Sequence, residues 1–277
     1  MMGSDQPMIR LVLPAQSENV SVVRHALAGL AEAMGMEASK VADVKTLVTE
    51  ACVNAVVHAY EDGEEGTMEV LASRDDGTVE LVVRDFGHGF RPRPHRALNG
   101  EPSLRLGLPL IAALADSFEL HGNPGGGTEV RIRLDIAPGG ARADTVDARR
   151  TVAFRPATEL AVTDNELASL VVSRVLSAIG SRADLSIDRL SDAILLGDAI
   201  AGSPESFVDG RVRIALEDSS RAIVARIGPL KEGAAESLLA SLEVPEVGAS
   251  LRKLADEIEV ESDVGGDRLR LRISDAR

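Results

Sequence analysis

T-L-V-T-E-A-C-V-N-A-V-V-H-A-Y, residues 46–60, is the stretch on which the reading of the chain turns. With Val44 just upstream, Leu47, Val48, Ala51 and Ala55 recur at the spacing of one helix face, which predicts a helix from about Ser39 to Tyr60. Glu50, Asn54 and His58 stand at i, i+4 and i+8, a single ridge on the flank of that face, with Asn54 and His58 leaning toward the core. A buried polar group without a partner costs about 1–3 kcal/mol, so these side chains require one. Two readings are open for the helix alone. Asn54 and His58 bond to backbone while Glu50 is solvated, or the ridge faces a ligand. His58 itself reads as a core histidine.

Outward from this helix, Ile9 to Pro14 predicts an opening strand, and S-E-N-V-S-V-V-R-H-A-L-A-G-L-A-E-A-M-G a first helix, with Ser17 as N-cap and Gly35 as its stop. Downstream, T-M-E-V-L-A-S-R-D-D-G-T-V-E-L-V-V-R-D-F-G places two strand-like runs around D-D-G, a hairpin. The proline-bearing segment R-P-R-P-H-R-A-L-N-G-E-P reads as a long loop, L-P-L-I-A-A-L-A-D-S-F as a helix and G-T-E-V-R-I-R-L-D-I as a closing strand. The order is α+β, a two-layer sandwich of helices on one sheet face.

Composition narrows the possibilities. The 277 residues suit one large domain or two ordinary ones. Hydrophobic residues make up 44% but aromatic residues only 2%, so the core must be built from Ala, Val, Leu and Ile, and base-stacking platforms are not expected. Thirty basic residues stand against 44 acidic ones, a net charge of -14, so nucleic acid is not expected as a direct partner. The single Cys52 excludes an internal disulfide and a multi-cysteine metal site and suits the cytoplasm. No signal peptide is expected from the opening residues, and the apolar run Leu106 to Ala115 falls far short of the roughly 18 residues that cross a bilayer.

Three further stretches carry chemistry. In E-L-V-V-R-D-F-G-H-G-F a strand ends at Asp85, and Gly87 and Gly89 follow at once; a carboxylate there can accept a hydrogen bond from an exocyclic amine. In R-L-G-L-P-L-I-A-A-L-A-D, Gly107 precedes a helix whose free N–H groups and dipole suit an anion. N-P-G-G-G-T-E-V-R-I sets a glycine run, with Gly127, before a strand, and Thr128 offers a hydroxyl. Each alone is common punctuation; the ordered set of four is not.

Together these motifs resemble the ATP-binding domain of the gyrase, chaperone, histidine-kinase and mismatch-repair ATPases. The string E-A-x-x-N-A-x-x-H-A-Y is most similar to the first box of the anti-sigma-factor serine kinases, and the resemblance covers about Met8 to Ile136. It implies a histidine-kinase-like ATPase fold with ATP and Mg²⁺ as cofactors. It further implies that Glu50 is the catalytic base, that Asn54 holds the metal through its amide oxygen, and that Asp85 binds the adenine amino group with support from Thr128. Gly87, Gly89 and Gly127 belong to the cofactor site, and Gly107 opens its helix toward the phosphates. Arg105 stands where the family usually has a first glycine, and either binds phosphate or crowds it. Arg91, Arg93, His95 and Arg96 fall in the segment that is the ATP lid in the family, facing phosphates, an acidic partner or solvent.

The rest of the chain reads as a worn copy of the first part. L-A-D-S-F-E-L-H from Leu114 is answered by L-A-D-E-I-E-V-E-S from Leu254, and G-G-T-E-V-R-I-R-L from Gly126 by G-G-D-R-L-R-L-R-I from Gly265. The offset drifts from about 145 to about 139. The expected organisation is an ATP-binding domain at 1–137, a linker at 138–150 and, at 151–277, a degenerate domain duplicated in tandem. In that copy Leu196 or Gly197 is expected at the magnesium position and Ile227 opposite Asp85, with Asp192 a candidate for the acidic position. The function expected is a cytoplasmic serine/threonine kinase acting on a small anti-sigma antagonist protein, or sequestering a sigma factor, with a homodimer open. The alternative is a non-catalytic nucleotide-dependent binding module.

Overall fold

A computed structural model gives the fold. It describes residues 7–61, 63–75, 77–89, 107–122, 126–136, 157–241, 243–244, 249–250, 254–263 and 265–275. Arg105, the arginine-bearing loop before it and the expected linker at 138–150 lie outside the described residues. The first half runs β1 (Ile9–Pro14), α1 (Ser17–Ala33), α2 (Ala38–His58), β2 (Thr67–Asp75), β3 (Thr78–Asp85), α3 (Gly107–Leu114), β4 (Ser117–Gly122) and β5 (Thr128–Asp135). The second runs β6 (Thr158–Val162), α4 (Asn165–Arg182), α5 (Ile187–Ala201), a 3-10 turn (Pro204–Ser206), β7 (Val212–Ser219), β8 (Ala222–Leu230), α6 (Ala234–Ser241), the short strands β9 (Glu243–Val244) and β10 (Ala249–Ser250), then β11 (Glu257–Asp263) and β12 (Gly266–Ser274).

Ten strands form one antiparallel sheet in the order β11-β12-β8-β7-β6-β1-β2-β3-β5-β4. Apart from the β9–β10 pair and the 3-10 turn, both halves have the same order of elements, and the sheet reads alike outward in both directions from the β1–β6 seam. Strand residues on one face, among them Ile9, Leu11, Leu13, Val70, Leu81 and Ile132, join Val23, Leu27, Leu47 and Val48 of α1 and α2 in a single core that continues through α4 and α5. The other face of the first half carries a ladder of charge. Arg10 pairs with Glu69 at 2.7 Å, Glu69 with Arg84 at 3.2 Å, Arg84 with Glu129, and Glu129 with Arg131 at 2.6 Å. The alternation in E-V-R-I-R-L thus puts apolar and charged side chains on opposite sheet faces.

Two local expectations are corrected. The capping residue of α1 is Gln16, whose side chain makes no capping bond, and Ser17 is already helical. The Gln16 carbonyl accepts from Asn19 N–H at 3.0 Å, so the first helical bond closes one residue earlier than the Ser17 signal suggests. The helix expected over L-P-L-I-A-A-L-A-D-S-F stops at Leu114, and S-F-E-L-H-G forms β4, a strand absent from the sequence reading. Asp116 turns the chain between them: its N–H donates to the Arg133 carbonyl at 3.0 Å and its carboxylate accepts from Asp135 N–H at 2.8 Å.

The halves meet along β1–β6 and along α1–α4, which pack side by side. One polar cluster lies at this junction. Asn19, 1% exposed, donates to the Pro14 carbonyl at 2.8 Å and accepts from Arg182, whose guanidinium also grips the Asp218 carboxylate at both oxygens. Replacing Arg182 by Ala leaves Asp218 and the buried Asn19 oxygen without their donor. Urea unfolding should then show a loss of about 1–3 kcal/mol; an unchanged midpoint contradicts the assigned role.

Candidate functional site

The end of α2 and the turn after β3 are locked together. Val44, Leu47, Val48, Ala51 and Ala55 are buried as the periodicity requires, and Glu50 and Asn54 lie half-buried on the flank. At the C-terminal end of α2 the Ala59 carbonyl accepts from His88 N–H at 2.9 Å. The Tyr60 hydroxyl donates to the Thr67 carbonyl at 2.5 Å and accepts from Phe86 N–H at 3.0 Å and Thr67 N–H at 3.1 Å. One side chain therefore joins the helix end to β2 and to the residue after Asp85.

Asp85, 5% exposed, ends β3. Its Oδ1 accepts from Gly87 N–H at 3.1 Å and from Thr128 N–H at 3.0 Å, which ties the turn to the start of β5. Burial pushes the Asp85 carboxyl above the usual carboxylate range, against the opposing pull of those two donors. The glycines are needed for contact. A Cβ on Gly87 would lie 2.0 Å from the Ala59 carbonyl oxygen, and one on Gly127, at φ +90, 2.2 Å from the Asp85 carbonyl oxygen. Gly89, at φ +74, packs beside Gly127.

Of the residues singled out from sequence, Asp85, Gly87, Gly89, Gly127 and Thr128 thus form one nest, and Gly107 is the first residue of α3, which packs on α2. Glu50 and Asn54 sit upstream of Ala59 on the helix that this nest grips. Among the described residues no hydrogen bond or ion pair engages either side chain. A half-buried Asn54 with no partner among the described residues fits a hard cation such as Mg²⁺, which takes oxygen ligands and retains waters. Arg105 lies outside the described residues. His58 is exposed rather than part of the core, because α2 ends there, beyond its last buried position at Ala55. Burial pushes the Cys52 thiol up to about 12, so it is not a nucleophile at neutral pH.

Tyr60, Gly66 and Glu64 were not singled out from sequence. Gly66 is required by Tyr60, because a Cβ there would lie 2.3 Å from the ring. Glu64 reaches His88 at 2.9 Å; the Glu61 N–H first, and His88 second, hold its carboxyl below the usual range. The available signal was the tyrosine that closes the Glu50–Tyr60 string, followed by Gly66-Thr67.

Comparison with known proteins places the first half in a family. Residues 13–134 match the histidine kinase-like ATPase domain. The chain is 33% identical over 136 residues to the serine-protein kinase RsbW of Bacillus pumilus, covering 84% of that protein and 45% of this chain. It is 34% identical over 127 residues to the RsbW of Halalkalibacterium halodurans, covering 77% of it and 42% of this chain, and 29% identical over 136 residues to the anti-sigma F factor of Heyndrickxia coagulans, covering 92% of it and 47% of this chain. The chain belongs to the histidine kinase-like ATPase family that includes these serine-protein kinases. No helix among the described residues is long and apolar enough to cross a membrane.

Counting along matching elements places other residue types opposite Glu50, Asn54 and Asp85 among the described residues of the second half. Counted from Glu37 and Ser186, which precede α2 and α5, Glu50 falls opposite Ala199 and Asn54 opposite Ser203, not Leu196 or Gly197, and Asp192 falls opposite Asp43. Counted from the hairpin pairs Asp75–Thr78 and Ser219–Ala222, Asp85 falls opposite Pro229, not Ile227. α5 also stops six residues sooner than α2, with 15 residues against 21.

The raised Asp85 pKa fixes a sign. A carboxyl raised on folding binds its proton more tightly in the native state, so stability falls as pH rises from the ordinary value of about 3.9 through the folded one. Asp85→Asn keeps an oxygen for the two N–H donors and removes the buried charge. It should therefore unfold at higher denaturant than the parent at pH 7, the gap closing as pH falls toward the ordinary value. A loss of stability that is the same at all pH contradicts this.

Proposed function

We propose that residues 1–137 bind Mg-ATP and transfer its γ-phosphoryl group to a serine or threonine of a small anti-sigma antagonist protein, with a sigma factor as the other partner. The observation that carries the reading is the Asp85 carboxylate, buried against Gly87 and Thr128 in a turn docked on the helix that bears Glu50 and Asn54. The names of the relatives, serine-protein kinase and anti-sigma F factor, support it.

In this reading Asp85 accepts the adenine amino group's hydrogen bond, and Thr128 holds that carboxylate in place. Gly87, Gly89 and Gly127 let the backbone lie against the base, and Gly107 opens α3 toward the phosphates. Asn54 holds Mg²⁺ through its amide oxygen; when bound, the ion neutralises charge on the phosphates. Glu50 takes the proton of the attacking hydroxyl as its oxygen bonds to the γ-phosphorus and the bond to ADP breaks. Arg105 is kept on the phosphate side of the site on sequence grounds.

Residues 151–277 are read as a degenerate tandem copy joined by a linker at 138–150. The shared order of elements and the mirrored strand order support this, and the loss of Glu50, Asn54 and Asp85 at matching positions argues that nucleotide binds to the first half alone.

Phosphoryl transfer from labelled ATP to an antagonist protein tests the proposal. Glu50→Gln should lower the rate by about 10²–10⁴-fold and leave Mg-ATP binding intact; an unchanged rate removes Glu50 from its role. Asp85→Asn forfeits a hydrogen bond to a charged group, so Mg-ATP affinity should drop about ten- to a hundredfold. Binding without any transfer by the parent chain is the signature of the non-catalytic module.

A further inference from the structure

The two strands left at the ends of the sheet are β4 and β11. Both carry charge or polar side chains: Glu119, with Ser117 and His121, on β4, and Glu257, Glu259 and Glu261 at alternate positions on β11. Charged edge strands resist the addition of another strand. β1, I-R-L-V-L-P, and β6, T-E-L-A-V, are of the opposite kind, largely apolar and mostly buried, whereas β4 is exposed at four of its six positions. Each would be an open, largely apolar edge if its half stood alone.

These two edges pair with each other, Ile9 opposite Val162, Arg10 opposite Ala161, Leu11 opposite Leu160 and Val12 opposite Glu159. Beside them α1 is buried at ten positions, among them Val22, Ala26 and Gly29, because α2 lies on one side and α4 on the other. Gly29 permits the close approach, since a Cβ there would lie 3.1 Å from Arg174 Cγ. Arg174 then closes the rim on Glu32 at 2.6 Å. β1 faces β6 and α1 faces α4, the corresponding element of the other half in each case, which is the arrangement of an isologous dimer interface made within one chain.

We infer that the second half occupies the surface through which the first half would otherwise join a second copy of itself, so that the working form is a monomer. The inference rests on strand order and edge chemistry and is independent of nucleotide binding; failure of the kinase reading leaves it standing.

Light scattering on the full chain across a wide concentration range tests it, together with hydrogen exchange at high dilution. The expected mass is that of one chain, 29.2 kDa, at every concentration. The amides of β1 and β6 should exchange as slowly as those of the interior strand β3. A mass of two chains that grows in with concentration overturns the inference, and so do seam amides that exchange as freely as those of the edge strands.

Discussion

The contact on which the rest depends is the docking of the turn after β3 against the end of α2, made by His88 N–H on the Ala59 carbonyl and by the Tyr60 hydroxyl on Phe86 N–H. It joins the turn that carries Asp85 to the helix that carries Glu50 and Asn54. It also explains the sequence around it. Gly87 has no room for a side chain, Gly66 makes space for the tyrosine ring, and Gly127 takes a left-handed conformation against the Asp85 carbonyl. Protein interiors do not deform continuously, so a methyl group at such a point displaces the whole turn.

Comparison of the two halves separates scaffold from site. A buried face like that of α2 occurs in α5 as Ala193, Leu196, Gly197, Ile200 and Ala201, yet the helix ends at Ala201, past the position opposite Glu50 and short of the one opposite Asn54. At the start of β12 a buried carboxylate does occur, Asp267, but it accepts from Gly233 N–H at 2.8 Å and from Ser262 at 2.7 Å. Its acceptors are thus engaged inside the protein. Core packing and the seam are satisfied by apolar residues of roughly the right size, whereas a nucleotide pocket needs particular groups at particular rungs, and at the matching described positions of the second half other residue types stand.

The sequence made the elements around the site legible because periodicity and glycine placement act locally. The face of α2, the β2–β3 hairpin and the stop at Gly35, φ +70, all follow from nearest neighbours. What it hid was set by contacts distant along the chain. β4 is held by pairing to β5, so its short alternation was overrun by the helical signal before it. Leu196 or Gly197 opposite Asn54 is an offset of 142 or 143, against 149 counted from Glu37 to Ser186, because a shift of about two turns keeps the same face buried. Asp85, Thr128 and the glycines of the nest were legible as a pattern. Tyr60 was not, since its role depends on three backbone groups that only folding brings to one hydroxyl.

In the function proposed above, the first half alone takes a metal-bound adenine nucleotide. Calorimetric titration of Mg-ATP into the full chain addresses it most directly. A single site in the first half gives one binding event with one nucleotide per chain; no heat, or two nucleotides per chain, contradicts it.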